Sequence, residues 1–505
     1  MNLIELFQPN FAGRADMPAI TFEDRTLTFG ELDERSAILA AALRDRLGLV
    51  KGDRAAMYLA NGHDLVLFYL ACLRLGAIVV PLNLLYRDQE LSSQLADAEP
   101  KVLLTDEPRL EIFQPLHRQF ASLDHVLLAG QSAAGDTIAF DAVLDHATAA
   151  PVPVHDVKGD DPALMIYTSG TTGRSKGAVL THHNLTSNIV ALLHSWQWTS
   201  QDRFVLALPL FHVHGLCNGL HGALASGCTT ILFQRFKAEP VLRTLCAQPG
   251  TLFFGVPTMY ERLLEAAAAG APVPSSMRLY VSGSAPLSQD TFDRFRNVFG
   301  HEILERYGMS ETLMITSNLH AGPRGRGTVG KPLPGVCVRV VMDDASVAQA
   351  PGEAGEIQVK GPNVLKCYWN EPKKTAESFD EGWFRTGDLG QWDNQGRLVI
   401  CGRLKELIIS GGFNVYPQEL NNCLCDHEQI AEAAVIGVPD KLRGELVKAY
   451  VVRMDERLDA DAVIDHCRDR LATFKVPRSV VFLNKLPRNA MGKLQLQRLP
   501  ERDRL

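Results

Sequence analysis

The chain has 505 residues, 46% hydrophobic and 22% charged, with a formal net charge of -7 at pH 7. That length calls for more than one domain, each large enough to bury its own core. The acidic balance excludes a general electrostatic attraction to nucleic acid or anionic membrane, and the apolar run Leu65–Leu73, which stops at Arg74, is far too short to span a bilayer.

From the N-terminus, Met1-Asn-Leu-Ile-Glu-Leu-Phe7 lacks a basic segment and carries Glu5 early, so it is not read as a secretory signal. Ala55–Ala60 is predicted as a strand, Asp64–Leu75 as a helix and Ile78–Leu82 as a strand. Pro162–Thr168 is predicted as a strand that runs into a glycine-rich loop. Beyond the loop, Leu185, Ile189, Leu192, Leu193 and Trp196 fall at helical spacing. Thr229–Phe233, Thr251–Val256 and Arg278–Val281 are further short apolar strands, and the run Ala266–Ala269 ends a helix between two of them. Such alternation is the signature of βαβ units and a largely parallel sheet.

The pattern changes near residue 335. Val336–Val340, Gly355–Val359 and Arg397–Ile400 are short strands among Gly, Pro and Asp turns, as in a small antiparallel sheet or barrel. A last region begins near Arg403. Its predicted strands are Ala433–Val438, Val447–Val452 and Ser479–Leu483, with a helix over Asp461–Leu471, enough for a small α+β domain. The ten cysteines are scattered. Cys423 and Cys425 with His427 do not make a CxxC pair, and no second pair completes a zinc site. The C-terminal Arg502-Asp-Arg-Leu505 matches no retention or peroxisomal address. A cytoplasmic enzyme with free thiols is expected.

The loop Thr168-Ser-Gly-Thr-Thr-Gly-Arg-Ser-Lys-Gly177 combines glycines, hydroxyls and two cations. Glycines let backbone approach a ligand closely, and successive N–H groups form anion-binding concavities. A phosphate grip on a strand–loop–helix frame is predicted. It is not a Walker A loop, because Ser175 precedes Lys176 and Gly177 follows it.

Five further motifs follow: Ser282-Gly-Ser-Ala-Pro-Leu287, Glu305-Arg-Tyr-Gly-Met-Ser-Glu311, Phe384-Arg-Thr-Gly-Asp-Leu389, Gly402-Arg-Leu-Lys-Glu-Leu407 and Gly411-Gly-Phe-Asn-Val-Tyr-Pro417. Pro487-Arg-Asn-Ala-Met-Gly-Lys493 stands near the end. In this order and at these intervals, over nearly the whole chain, they closely resemble the adenylate-forming superfamily of acyl-CoA synthetases, peptide-synthetase adenylation domains and luciferase.

The resemblance implies an α/β fold: a large N-terminal domain, 1–403, of parallel α/β sheets plus a small β-barrel-like part, and a small mobile α+β domain, 404–505, hinged at Lys405. It implies ATP, Mg²⁺ and coenzyme A, the last as co-substrate. Thr168, Ser169, Gly170, Thr171, Thr172, Gly173 and Lys176 would hold the β- and γ-phosphates, and Glu311 the magnesium. Gly283, Ser284 and Ala285 would line adenine opposite the stacking Tyr307, and Glu305 and Gly308 belong to the same ATP site; Ser310 replaces the usual Thr but keeps the hydroxyl for a phosphate contact. Asp388 would bind the ribose, supported by Arg403, and Lys493 would reach the α-phosphate and the acid. The catalytic set so implied is Lys493, Thr171, Glu311 and His212. For CoA the implied contacts are Lys405, Ser410, Gly411, Gly412, Arg443 and Lys475. The partners are a small carboxylic acid, ATP and CoA, with neither nucleic acid nor membrane, in a monomer or homodimer.

For the acid, the segment Leu208-Pro-Leu-Phe-His-Val-His-Gly215 places His212 at the family's gating position, with Ser282 and Met309 beside the acyl pocket. Several segments, from Met277 to Leu287 and from Arg306 to Ser317, resemble the malonyl-CoA synthetase branch. There the arginine matching Arg278 meets the substrate's distal carboxylate. A buried second carboxylate needs a cation, and a guanidinium binds it in bidentate fashion. Many fatty acyl-CoA synthetases also carry an arginine in this strand and pair it structurally, so both readings of Arg278 stand. The function implied is an acid–CoA ligase for malonate or methylmalonate, the alternatives being a short- or medium-chain fatty acyl-CoA synthetase or a stand-alone adenylation enzyme that loads a carrier protein.

Overall fold

The computed structural model describes residues 1–117, 119–145, 156–168, 175–247, 250–322, 324–410, 413–440, 443–488 and 494–500. Two large sheets dominate the first 332 residues. In the first, the strands Arg203–Leu206, Leu252–Gly255, Leu279–Ser282 and Leu304–Met309 lie side by side and parallel, flanked by Thr229–Leu232 and Pro18–Phe22. In the second, Arg54–Tyr58, Ile78–Pro81, Val102–Thr105 and His125–Leu128 are parallel. Pro162–Thr168 joins them as a parallel neighbour of Ile78–Pro81.

The sheets are stapled by helices whose ends are written in the sequence. The helix Phe29–Leu47 begins at Thr28, whose side chain and that of Glu31 form a reciprocal capping box, and ends on Gly48 at φ +64°. The helix His182–Trp196 starts in the same way, from Thr181 and Asn184. The helix His63–Leu75 is buried on nearly every side, which is why its sequence is almost wholly apolar. One continuous apolar cluster runs from Phe204 and Phe254 of the first sheet, through Phe68 and Leu192 of these helices, to Leu104 and Leu164 of the second.

The parallel α/β expectation holds, and the helix ending in the alanine run is Pro257–Ala268. One local expectation changes. The glycine-rich loop does not lead straight into a helix, because Lys176–Thr181 forms a strand antiparallel to Pro162–Thr168, pairing Thr168 with Lys176. Ala178, Val179 and Leu180 are buried there. Their apolar run satisfies the sheet before the helix begins, so the two flanks of the loop are paired strands.

A third sheet holds Cys337–Val341, Gly355–Lys360, Trp383–Trp392, Phe379–Asp380 and Leu398–Arg403, all antiparallel. Its outer strands do not pair with each other among the described residues, so it is an open sheet rather than a closed barrel. A fourth sheet uses only residues from 408 onward, with Gly444–Arg453 between Ile430–Asp440 and Ser479–Phe482. It has its own apolar cluster around Ile408, Leu420, Val447 and Val463. Among the described residues no helix is long and apolar enough to cross a membrane. All ten cysteines are free, and no three His, Cys, Asp or Glu side chains gather as a metal cluster among the described residues.

Candidate active site

The parallel strands of the first sheet all end at one edge, the place where open α/β sheets bind ligands. Leu304–Met309 carries most of the chemistry. Tyr307 points to the third sheet and donates its hydroxyl to Asp388 Oδ2 at 2.6 Å. Asp388 and Arg403 are directly opposite across the Trp383–Trp392 and Leu398–Arg403 strands, and Arg403 Nε lies 3.1 Å from Asp388 Oδ1. Burial and the neighbouring Asp388 charge raise the Tyr307 phenol, so it stays a donor. Aromatic ring, carboxylate and guanidinium are therefore joined by the fold, although 81 residues separate Tyr307 from Asp388.

Glu305, two residues earlier on the same face, is buried. Burial pushes its carboxyl up to about 8, opposed by backbone N–H donors of Gly327 and Leu287. Gly308 faces a close backbone approach: a Cβ there would lie 2.0 Å from the Leu313 carbonyl oxygen. The hairpin Leu304–Met309 to Leu313–Ser317 shifts register at this glycine, which sends Met309 and Ser310, both half-buried, around the turn to Glu311.

Glu311 is 7% exposed. Its Oε1 accepts Thr168 Oγ1 at 3.0 Å and the Tyr368 hydroxyl at 3.3 Å. Lys176 Nζ sits 5.1 Å from the centre of the Tyr368 ring. Of the two flanks of the glycine-rich loop, Thr168 thus bonds Glu311 directly and Lys176 lies over the ring of Tyr368, which bonds the same carboxylate. Residues 169–174, which include Ser169, Gly170, Thr171, Thr172 and Gly173, lie outside the described residues, as does Lys493.

The donor set around Glu311 is one buried carboxylate and a threonine hydroxyl. Oxygen-only ligands suit Mg²⁺, which usually keeps waters and takes one or two carboxylates together with substrate phosphates. The residues therefore fit a magnesium ion that arrives with nucleotide phosphates, while among the described residues no cluster gathers to hold one alone.

A second group of polar side chains lies on the other side of the same strand ends. Ser282 is 1% exposed and its Oγ has no hydrogen-bond partner among the described residues. Ser284 adopts φ +71°, a left-handed conformation strained for a non-glycine, and its hydroxyl lies 3.3 Å from His214 Nδ1. Gly283 is buried between them and Ala285 is half-buried. His214 opens a π-helical stretch, His214–Leu220, and such bulges cluster at functional sites. Its Nε2, both side-chain polar atoms of Asn218, and Nε2 of His212 are buried without partners among the described residues. Burial lowers His212 to about 4 and also lowers His214, so both imidazoles are neutral at pH 7.

Arg278 is not in this group. It precedes the amino end of Leu279–Ser282, about 13 Å from Ser282 at ~3.3 Å per residue. Its Nε and Nη2 donate to Asp202 at 3.0 and 2.7 Å, and its Nη1 donates to the Trp196 carbonyl at 2.9 Å. Asp202 also accepts Thr251 Oγ1 at 2.7 Å and the Thr199 N–H at 2.9 Å. All three guanidinium nitrogens are occupied, too far from the strand ends for a three-carbon acid to bridge. The structure shows Arg278 in the structural pairing, one of the two readings that the sequence leaves open.

Of the residues expected to meet CoA, Lys405 is exposed on the 3₁₀ turn Leu404–Glu406. Ser410 is buried and lies opposite Gly444, beside the exposed Arg443. Lys475 is held by both Glu419 oxygens at 2.6 and 2.7 Å. It follows Phe474, which stacks on Phe413 at 4.6 Å between ring centres. Gly411 and Gly412, also expected to meet CoA, lie outside the described residues.

The chain matches known proteins over nearly its full length. A family model described as AMP-binding enzyme matches residues 7–369, and one described as the AMP-binding enzyme C-terminal domain matches 419–493. A long-chain-fatty-acid–CoA ligase of Bacillus subtilis is 34% identical over 97% of this chain and 92% of its own length. A malonate–CoA ligase of Arabidopsis thaliana is 32% identical over 99% and 88%. The crystal structure of ATP-bound MatB from Rhodopseudomonas palustris superposes with a TM-score of 0.89, at 38% identity and 98% coverage of both chains.

Proposed function

The chain belongs to the AMP-binding enzyme family and is an AMP-forming acid–CoA ligase, and from that premise we propose that its acid is a short dicarboxylate, malonate or methylmalonate. The supporting observation is the lining of the acyl side. His212, His214, Asn218 and Ser282 present buried, unpartnered polar atoms where an alkyl chain would need apolar walls. Unmade hydrogen bonds of this kind are costly, and a small acid rich in acceptors would make them. Similarity to both malonate- and long-chain-specific ligases leaves the choice to these side chains.

In the reading we propose, Tyr307 stacks on adenine and Asp388, steadied by Arg403, accepts the ribose hydroxyls. Thr168 and Lys176 flank the grip on the departing pyrophosphate. Glu311 holds magnesium, which when bound screens the phosphate oxygens. The acid's carboxylate oxygen attacks the α-phosphorus as the bond to pyrophosphate breaks. Positioning and charge neutralisation carry this step, since the nucleophile is supplied by the substrate. Lys493 supplies a cation to the developing charge. Residues 404–505 then pivot at Lys405, bringing the hairpin end at Ser410, with Arg443 and Lys475, toward the acyl-adenylate. The CoA thiolate attacks its carbonyl carbon and AMP leaves.

The test is a panel of acids, assayed for AMP and for CoA thioester. Malonate or methylmalonate should give the highest kcat/KM, with butyrate and octanoate at least tenfold lower. A preference for the monocarboxylates would reject the dicarboxylate reading and leave a short- or medium-chain acyl-CoA synthetase. AMP formation that depends on a carrier protein instead of CoA would indicate an adenylation enzyme.

A further inference from the structure

The fourth sheet and its helices carry a pair of thiols that the ligase reaction does not use. Cys423 faces inward from the helix Pro417–Cys425 with Leu420 and Leu424, and Cys467 from the helix Ala460–Arg468 with Val463. Spacings of three and four residues put each thiol on the buried side of its helix, and both belong to one apolar cluster. The helices are fastened where the cysteines meet. His466 Nε2 donates to the Cys423 carbonyl at 2.8 Å, and the His466 ring rests against that of His427, with 4.9 Å between centres. At this joint the Cys467 thiol donates a hydrogen bond to the Cys423 sulfur. Cys425, two residues beyond Cys423, is turned to another side of the helix.

Their surroundings divide between the two thiols the roles of a redox pair. Cys423 keeps 7% exposure, whereas Cys467 is fully buried. The hydrogen bond from Cys467, joined by the Arg470 charge, lowers the Cys423 thiol against burial and the Asp426 and Glu419 carboxylates, and the same bond raises Cys467. Arg470 is held beside the pair by its N–H, which bonds the Cys467 carbonyl at 3.2 Å. By contrast, the thiols of Cys72, Cys217 and Cys228 are pushed up by their burial, as inert core cysteines are. A thiolate is the nucleophile toward an oxidant, and a second thiol in contact with it resolves the product. A disulfide needs two side chains that point at each other, and the shared hydrogen bond supplies that orientation.

We propose that Cys423 and Cys467 form a redox site that takes a hydroperoxide and closes reversibly to a disulfide. The Cys423 sulfur, having released its proton, attacks one peroxide oxygen. The O–O bond breaks, and the other oxygen leaves with the electron pair and takes up that proton, as water or an alcohol. The Cys467 sulfur then attacks the sulfenic sulfur of Cys423. The S–S bond forms, the S–O bond breaks, and the hydroxyl leaves with the Cys467 proton as water. The thiols together lose two electrons and two protons, which reduce the peroxide. A small thiol reverses the bond by exchange. Once closed, it ties the helix that holds Lys475 through Glu419 to the helix behind it. The site is independent of which acid the ligase takes.

The experiment treats the full-length enzyme with hydrogen peroxide, blocks the remaining thiols with N-ethylmaleimide in denaturant, and maps the unreduced digest by mass spectrometry. The peptides of Cys423 and Cys467 should appear joined, at a rate roughly tenfold or more above the oxidation of the exposed Cys246 and Cys337. Dithiothreitol should return both to maleimide-reactive thiols. Cys467→Ala should leave Cys423 as a sulfenic acid that dimedone captures, and Cys423→Ala should leave Cys467 unoxidised over the same time. Cys423 and Cys467 that both still carry maleimide when Cys246 and Cys337 are oxidised overturn the proposal. So does a bond from Cys423 to Cys425, or a Cys423 driven to sulfinic acid with Cys467 untouched. The wild-type digest decides alone if a variant does not fold.

Discussion

Replacing Glu305 by Gln should remove a pH dependence of stability that the native side chain imposes. The Glu305 carboxyl is 8% exposed and raised by burial to about 8, against about 4.3 for a free glutamate. Below about pH 4 it is protonated in both the folded and unfolded chain and costs nothing. Between about 4.3 and 8 the folded protein keeps a proton that the unfolded chain has lost, so stability falls as pH rises, and the loss is complete above about 8. Roughly four units at about 1.4 kcal/mol each put the ceiling near 5 kcal/mol. For 505 residues the unfolding entropy is about 1 kcal/mol per kelvin, so the effect on the melting temperature is a few degrees. Glutamine mimics the protonated acid and titrates nowhere in this range. The buried imidazoles of His182, His212 and His221, lowered to about 4, 4 and 3, act in the opposite sense. Their stabilisation is present above pH 6.5 and lost in acid, but they are common to both proteins and cancel in the difference. Melting curves of the two from pH 5 to 9 should therefore coincide at the acid end and separate by a few degrees, glutamine higher, at the alkaline end. A gap that does not change with pH would refute the reasoning.

Two other substitutions test the nucleotide side. Asp388→Asn weakens charge-assisted contacts to Arg403 and Tyr307 and to the ribose. It should raise the KM for ATP at least tenfold with little change in the KM for the acid, measured by titrating each substrate at saturation of the other. Gly308→Ala puts a methyl group 2.0 Å from the Leu313 carbonyl oxygen, so the hairpin must open. A stability loss of about 1–3 kcal/mol, read as a lower melting temperature, should accompany the loss of activity, and an unchanged melting temperature would contradict the close approach.

What could be read in the sequence divides along physical lines. Strands such as Ile78–Pro81 and helices such as His63–Leu75 are legible because burial on all sides demands continuous apolar runs. The nucleotide residues are legible because glycine, aromatic and acid recur at intervals that resemble a family. The hairpin under the phosphate loop was missed because Lys176–Thr181 is short and the helical pattern behind it is strong. Arg278 stays open between two readings in the sequence because its partner Asp202 is 76 residues away, and nothing local distinguishes an arginine that is paired from one that is free.

In adenylate formation by direct attack, the acid's own oxygen ends in AMP. With malonate labelled in both carboxylates with ¹⁸O, the attacking oxygen becomes the bridge to the α-phosphorus and stays there when CoA takes the acyl group. Mass spectrometry of the products should find one ¹⁸O in each AMP, none in pyrophosphate, and malonyl-CoA in equal amount. Label in orthophosphate or pyrophosphate, or AMP formed without label from malonate, would contradict it.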